Sequence, residues 1–261
     1  MEIPGKIAEL IGKKFGKQEN IGLSGASVYI YDSMVLKVQN WDTTAETEYE
    51  MMRWLEGKLP VPHIIAHEKT NKLSFLLMRK CEGEMACSKY WLGQPHKLCR
   101  CLAEALQAFW SVDTTDCPSN CTLNDKLLQA EYNVANGLVD TENTQPDTYG
   151  DCGFKDPEAL LYWLKENAPE EELVLSHGDF CLPNFLLKDD SLTGVIDLGR
   201  AGVADKWCDI ALCYRSLKDN YNGRYDNIKK QGFSKSCLFE SLGLKPDWDK
   251  IRYYILLDEL F

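Results

Sequence analysis

The chain has 261 residues, enough for one large domain or two lobes of roughly 100 to 150 residues each. With 44% apolar and 11% aromatic residues it can build a packed core, which excludes a disordered chain. A formal charge of −11 disfavours nucleic acid and anionic membranes, both polyanions, and favours a cationic partner. The eleven cysteines are scattered, with Cys99 and Cys101 the closest pair and no C-x-x-C spacing. They read as reduced thiols of a cytoplasmic protein, not as a disulfide framework or a zinc site. His63 and His67 follow Pro62 in an extended-looking segment and read as surface or half-buried histidines. Met1 to Leu10 has no apolar signal core, and no apolar run reaches the ~18 residues of a transmembrane helix.

In chain order, residues 1–80 predict a small β-rich lobe. Val28 to Tyr31, a turn at Asp32-Ser33, and Met34 to Val38 form a hairpin pattern. A helix follows, with Thr43 and Glu46 as a capping box and Gly57 as its stop. Leu73 to Met78 is another strand. Residues 79–83 break the pattern and mark the lobe boundary, so 81–261 form the second lobe. That lobe is mostly helical: Leu98, Leu102, Ala105 and Phe109 share one face of a helix over 97–111. Leu123 to Ala135 is a second helix, and 137–153 is an aperiodic acidic loop. Asp156-Pro157-Glu158 opens a helix, with Pro in the first turn. Leu173 to Leu175 is a buried strand. Phe185 to Leu187 and Thr193 to Ile196 make a hairpin around Asp189-Asp190, and helices run from about Asp205 to Leu217 and from about Asp247 to the end.

The chemistry concentrates in His177-Gly178-Asp179 through Asn184, followed by Ile196-Asp197-Leu198-Gly199-Arg200. An Asp with an Asn five residues later, then a second strand-flanked Asp, is phosphoryl-transfer spacing. Asp179 is the candidate base or orienting group for an attacking hydroxyl. Asn184 and Asp197 offer the hard oxygens that magnesium prefers. Upstream, Lys37 lies mid-strand on the face opposite Met34, Leu36 and Val38. Such a lysine either lines a solvated edge or has a partner, because burying an unpaired ammonium is costly. Glu48 falls on the helix arc shared by Ala45, Tyr49, Met52 and Leu55, so an inward carboxylate is available to orient it. The small residues Gly22 to Ser27 suit either a phosphate-cradling loop or a plain turn. Asp258 and Glu259 close the last helix, where acids oppose the macrodipole; a solvated end or a cationic ligand would account for them.

From about residue 20 onward the chain resembles the aminoglycoside 3′-phosphotransferases, antibiotic-resistance kinases with a protein-kinase-like fold. The resemblance rests on residues 54–62, on 176–184 and 196–200, on Ala204-Asp205-Lys206-Trp207-Cys208-Asp209, and on the closing Tyr253 to Phe261. It implies an α+β bilobal fold and ATP or GTP held between the lobes with Mg2+. It also implies an aminoglycoside acceptor phosphorylated at its 3′-hydroxyl, and no obligate protein partner. By the same resemblance Lys37 grips phosphate, Glu48 is its partner, Ser24 sits near the β-phosphate, and the backbone of Arg79 to Cys81 meets adenine. Asp179, Asn184 and Asp197 take the catalytic and metal roles, and Asp209 braces the catalytic loop. Arg200, Asp258, Glu259 and the Phe261 carboxylate, with Asp219 and Glu142, match the acceptor pocket. Val35 stands where some members carry an adenine-stacking aromatic, and Gln145-Pro146 where a carboxylate is expected. The rival expectations are a kinase of choline, a fructosamine or a methylthio sugar on the same fold, and a catalytically silent nucleotide- or drug-binding protein.

Overall fold

The computed structural model describes residues 3–12, 16–19, 26–151 and 153–261. In chain order these form α1 (Gly5–Ile11), β1 (Lys17–Glu19), β2 (Ser27–Ile30), β3 (Met34–Asn40), α2 (Thr43–Leu55), β4 (Ile64–Lys69) and β5 (Leu73–Arg79). Then come β6 (Glu84–Met85), α3 (Lys89–Leu92), α4 (Pro95–Trp110), α5 (Leu123–Ala135), α6 (Pro157–Glu166) and β7 (Leu173–Ser176). The rest is β8 (Phe185–Lys188), β9 (Ser191–Val195), β10 (Gly202–Asp205), α7 (Lys206–Asn222), α8 (Cys237–Leu242) and α9 (Trp248–Asp258).

The first five strands make one antiparallel sheet in the order β1-β2-β3-β5-β4. Strand alternation divides its side chains cleanly. Met34, Leu36, Val38, Phe75 and Leu77 pack with Ile7 and Ile11 of α1 in a small core of their own. On the opposite face Leu76 and Met78 join Met51, Met52 and Leu55 of α2, and this second core runs without a break into the helical half. Thus α2 is the structural link between the sheet and everything after it. Lys37 lies on the α2 face, directly across from Leu76.

The start of α2 corrects one expectation. Its N-cap is Asp42, not Thr43: Asp42 has extended backbone and its carboxylate accepts from the Ala45 amide at 2.9 Å. A carboxylate at this end also matches the helix dipole, which Thr43 could not do. The helix stops at Leu55, and Gly57 just beyond it takes the left-handed φ of +79°.

In the helical half α5 spans the expected residues, with Thr122 and Asp125 forming a full capping box. The turn between β8 and β9 is at Asp189 and Asp190, both with positive φ, as a two-residue hairpin turn demands. The loop 137–153 forms no helix or strand among its described residues. Helix α7 runs to Asn222, past the expected end at Leu217, because its last turns bury polar Asp219 and Asn220 that the apolar period does not register. Helix α9 ends at Asp258, short of the terminus. The short elements α1, β1, β6, α3 and α8 went unpredicted, as did the antiparallel pairing of β7 with β10. All ten described cysteines are free thiols. His63 is exposed beside Glu56, and half-buried His67 stacks on Tyr49 at 4.0 Å. No described helix is long and apolar enough to cross a membrane.

Candidate active site

Lys37 projects from the central strand into the gap between sheet and helical half. Its Nζ donates to Glu48 Oε1 at 2.8 Å and to Asp197 Oδ1 at 3.0 Å. The two carboxylates come from sequence positions 11 and 160 residues away. Burial alone would lower the Lys37 pKa; Glu48 first, then Asp197, outweigh it, and the ammonium is held above its ordinary range. Burial would likewise raise Asp197, but Lys37 overrides it and the carboxyl stays below its ordinary value. Glu48 is 1% exposed, and its second oxygen accepts from Gln39 Nε2 at 2.7 Å. The Glu48→Gln variant is therefore predicted to lose about tenfold to a hundredfold in kcat/KM for nucleotide, the worth of one charge-assisted bond of ~1.5–3 kcal/mol. An unchanged kcat/KM in a steady-state assay would remove Glu48 from this role.

The loop after β7 is held from below by Asp209 of α7. That buried carboxylate accepts from Ser176 Oγ at 2.9 Å, the His177 amide at 2.8 Å and the Gly178 amide at 3.0 Å. Its burial pushes the carboxyl up even against these donors. His177 then ties the two acidic segments together. Its Nε2 meets the Ile196 carbonyl at 2.9 Å, while the Asp179 amide donates to its Nδ1 at 3.3 Å. Gly178 has φ +78°, and a Cβ there would lie 1.9 Å from the Arg200 carbonyl oxygen. No other residue type fits that contact. Asn184 closes the loop: its Nδ2 donates to both the carbonyl and Oδ2 of Asp179, each at 3.0 Å. Asp197 itself sits at φ +63°, an uncommon conformation for a residue with a side chain, adopted beside the lysine it meets.

Next to this loop lies a wall of paired charges. Asp258 takes Arg200 on Oδ1 at 3.2 Å and Arg215 on Oδ2 at 2.6 Å. Burial would raise Asp258, but the two arginines hold it below its ordinary range. Its position at a helix C-terminus thus has an internal reason, and no external cation is needed to explain it. Arg215 also reaches Cys181 Sγ at 3.9 Å, which joins the wall to the Asp179 loop. Phe261 packs under the Arg200 guanidinium at 5.5 Å. Glu259 accepts from the Gln145 amide at 3.2 Å, and Asp219 from Gln145 Nε2 at 2.8 Å. Burial pushes the Glu259 carboxyl up to about 7. Glu142 is exposed, and its amide closes a turn on Asp140.

At the end of β5 the Arg79 amide is bonded to the His63 carbonyl and the Lys80 amide to the Ser33 carbonyl, at 2.8 and 3.0 Å. The half-buried Cys81 follows. Ser24 lies outside the described residues. The structure thus gathers Lys37, Glu48, Asp179, Asn184 and Asp197 at one place, and Arg200, Asp219, Asp258, Glu259 and Phe261 beside it. Sequence reasoning gave no role to His177, Gln145, Arg215 or Arg224. The His177 ring is visible in the motif and Gln145 as a departure from the carboxylate expected there; Arg215 and Arg224 sit on helix or loop positions with no distinguishing spacing.

A lysine paired with one carboxylate from each half is the arrangement a phosphotransferase of kinase type requires. A family model described as the phosphotransferase enzyme family matches residues 20–254. The chain is 41% identical to an aminoglycoside 3′-phosphotransferase of Enterococcus faecalis, an alignment covering 100% of this chain and 99% of that one. It belongs to the aminoglycoside 3′-phosphotransferases of the phosphotransferase enzyme family. Of solved structures, an aminoglycoside 3′-phosphotransferase of type VIII superposes with a TM-score of 0.77 at 26% identity, covering 94% of each chain. An aminoglycoside phosphotransferase of Streptomyces rimosus, in complex with ADP and streptomycin, shares the fold with a TM-score of 0.72 at 24% identity, over 92% of this chain and 94% of that one.

Proposed function

We propose that this enzyme transfers the γ-phosphoryl group of ATP, or GTP, to the 3′-hydroxyl of an aminoglycoside in the cytoplasm. The observation that carries the reading is Lys37 bridging Glu48 and Asp197 across the gap between the two halves. An ammonium has three donors, and with two committed the third serves a phosphate oxygen. The division that follows is a nucleotide lobe at 1–80 and a catalytic and acceptor lobe at 81–261, hinged near 79–83. With the Arg79 and Lys80 amides already bonded, the Cys81 amide, next along the chain, is the donor assigned to adenine.

Asp179 orients the acceptor hydroxyl and receives its proton. Asn184 holds one Asp179 oxygen, which keeps the other aimed at the acceptor. Among the described residues no three His, Cys, Asp or Glu side chains converge as a metal cage. That suits magnesium, which takes one or two protein oxygens and completes its shell with phosphate and water. Asn184 commits its N–H end to Asp179 and leaves its oxygen for the metal, together with Asp197. When bound, magnesium neutralises charge on the transferring phosphoryl group. Asp219 and Glu259 bind acceptor ammonium groups by charge-assisted hydrogen bonds, with Arg200, Asp258 and Phe261 shaping the wall between them and Asp179.

A coupled ADP-release assay tests this. Kanamycin should drive turnover, and choline and a 3′-deoxy kanamycin should not. Equal turnover of the 3′-deoxy compound would sink the regiochemistry, and turnover of choline alone would favour the rival kinase reading.

A further inference from the structure

The acidic wall contains an occupant supplied by the chain itself. Gln145 lies in the long loop before α6 and is only 7% exposed. Its side-chain amide donates to Asp219 Oδ2 and its backbone amide to Glu259 Oε1. The stretch around it is pinned from outside by Arg224, whose guanidinium donates to the Asn143 and Thr144 carbonyls at 3.0 and 2.8 Å and stands 3.8 Å from Asp219. One neutral residue therefore spans the two acids of this wall that the arginine pair on Asp258 leaves over.

We propose that Gln145 is a specificity-determining residue that acts as an internal stand-in for a substrate amine, so that an acceptor engages Asp219 and Glu259 only by displacing it. The proposal rests on the acceptor reading given above. The energetic direction follows from charge. An amide N–H on a carboxylate is ionised on one side only, whereas an ammonium brings a full opposite charge to the same oxygen, so an ammonium group wins the exchange. Burial against an amide donor, with no cation directly bonded, also explains why Glu259 titrates near neutrality. The displacement must break the Arg224 contacts to 143 and 144, so the loop moves as a strap. Acceptors carrying an amine that reaches this pair then gain, and those lacking one face an occupied wall. If the strap is seated in about nine of ten molecules, apparent affinity is reduced about tenfold.

The experiment compares the native enzyme with Gln145→Ala and Gln145→Glu in steady-state assays, with kanamycin binding followed by calorimetry in parallel. Both variants remove the side-chain donor to Asp219 and keep the backbone amide to Glu259, and the second also sets a like charge against Asp219. The expected result is a fall of about tenfold in KM and in Kd for kanamycin, carried by KM and not by kcat, with KM for ATP unchanged. A KM and Kd that stay constant or rise in both variants would overturn the proposal, because Gln145 would then be structural or a direct ligand. Failure of the native enzyme to phosphorylate any aminoglycoside would remove the acceptor reading itself and this inference with it. Turnover at unaltered KM removes the inference alone.

Discussion

The Asp179→Ala variant is expected to bind ATP at near-native affinity and to phosphorylate kanamycin about 10²- to 10⁴-fold more slowly, the range for loss of a general base. Asp179 is held by Asn184 on one oxygen, its amide rests on His177, and the loop beneath it hangs on Asp209. None of the bonds from Asp209 involves the Asp179 side chain, so its removal leaves the loop backbone supported. Lys37, Glu48 and Asp197 keep one another, so nucleotide binding is retained. Rapid-quench measurement of phosphoryl transfer, with nucleotide affinity from fluorescence titration, checks both parts. Transfer within about threefold of native would leave Asp179 without a chemical role.

One residue earlier the expected result is the opposite. Gly178→Ala should cost stability as well as activity. Its Cβ would sit inside the Arg200 carbonyl oxygen, and φ of +78° disfavours any side chain. Left-handed strain of ~1–2 kcal/mol and overpacking of ~1–3 kcal/mol together predict a loss of about 2–5 kcal/mol. For a chain of this size that is a fall of roughly 5–20 °C in Tm. The Arg200 peptide cannot yield cheaply, since it lies between Asp197, paired to Lys37, and β10, paired to β7. Differential scanning calorimetry reads the shift. A Tm within about 2 °C of native would mean that the two loops separate easily, and the close approach would lose its structural meaning.

The candidate catalytic set is legible in the sequence because it is written in local spacing. Asp179 and Asn184 share one turn of chain, and Asp197 follows a hairpin whose own turn residues, Asp189 and Asp190, announce it. Lys37 and Glu48 were visible as polar residues on faces otherwise apolar, and burial of Glu48 at 1% exposure bears that out. The cap of α2 is Asp42 and not Thr43, although Asp ranks above Thr at a cap; the Thr43–Glu46 spacing of a capping box points one residue too far. The acceptor wall was legible as a list of acids but not as a circuit. In the sequence, Asp258 at the helix end calls for a solvated position or a cation, whereas Arg200 and Arg215 of the chain itself satisfy it. Arg215 and Arg224 sit on or just after α7 with nothing in their spacing to mark them.

Residue type and short-range order by themselves marked the candidate residues of the chemistry, the β2–β3 hairpin with α2 and β5, and the places where the chain turns. Each of these signals is a pattern spanning a few residues, where stereochemistry leaves few choices; the meeting of Lys37 with Asp197, 160 residues away, is not of that kind. Tertiary structure alone decided which acids are spent on internal arginines and which remain for a ligand. It also decided that His177 joins the Asp179 loop to Ile196, and that Gln145 covers Asp219 and Glu259. Charge pairing depends on distance in space, and residues 145, 219 and 259 become neighbours only once α7, α9 and the loop between α5 and α6 have packed together.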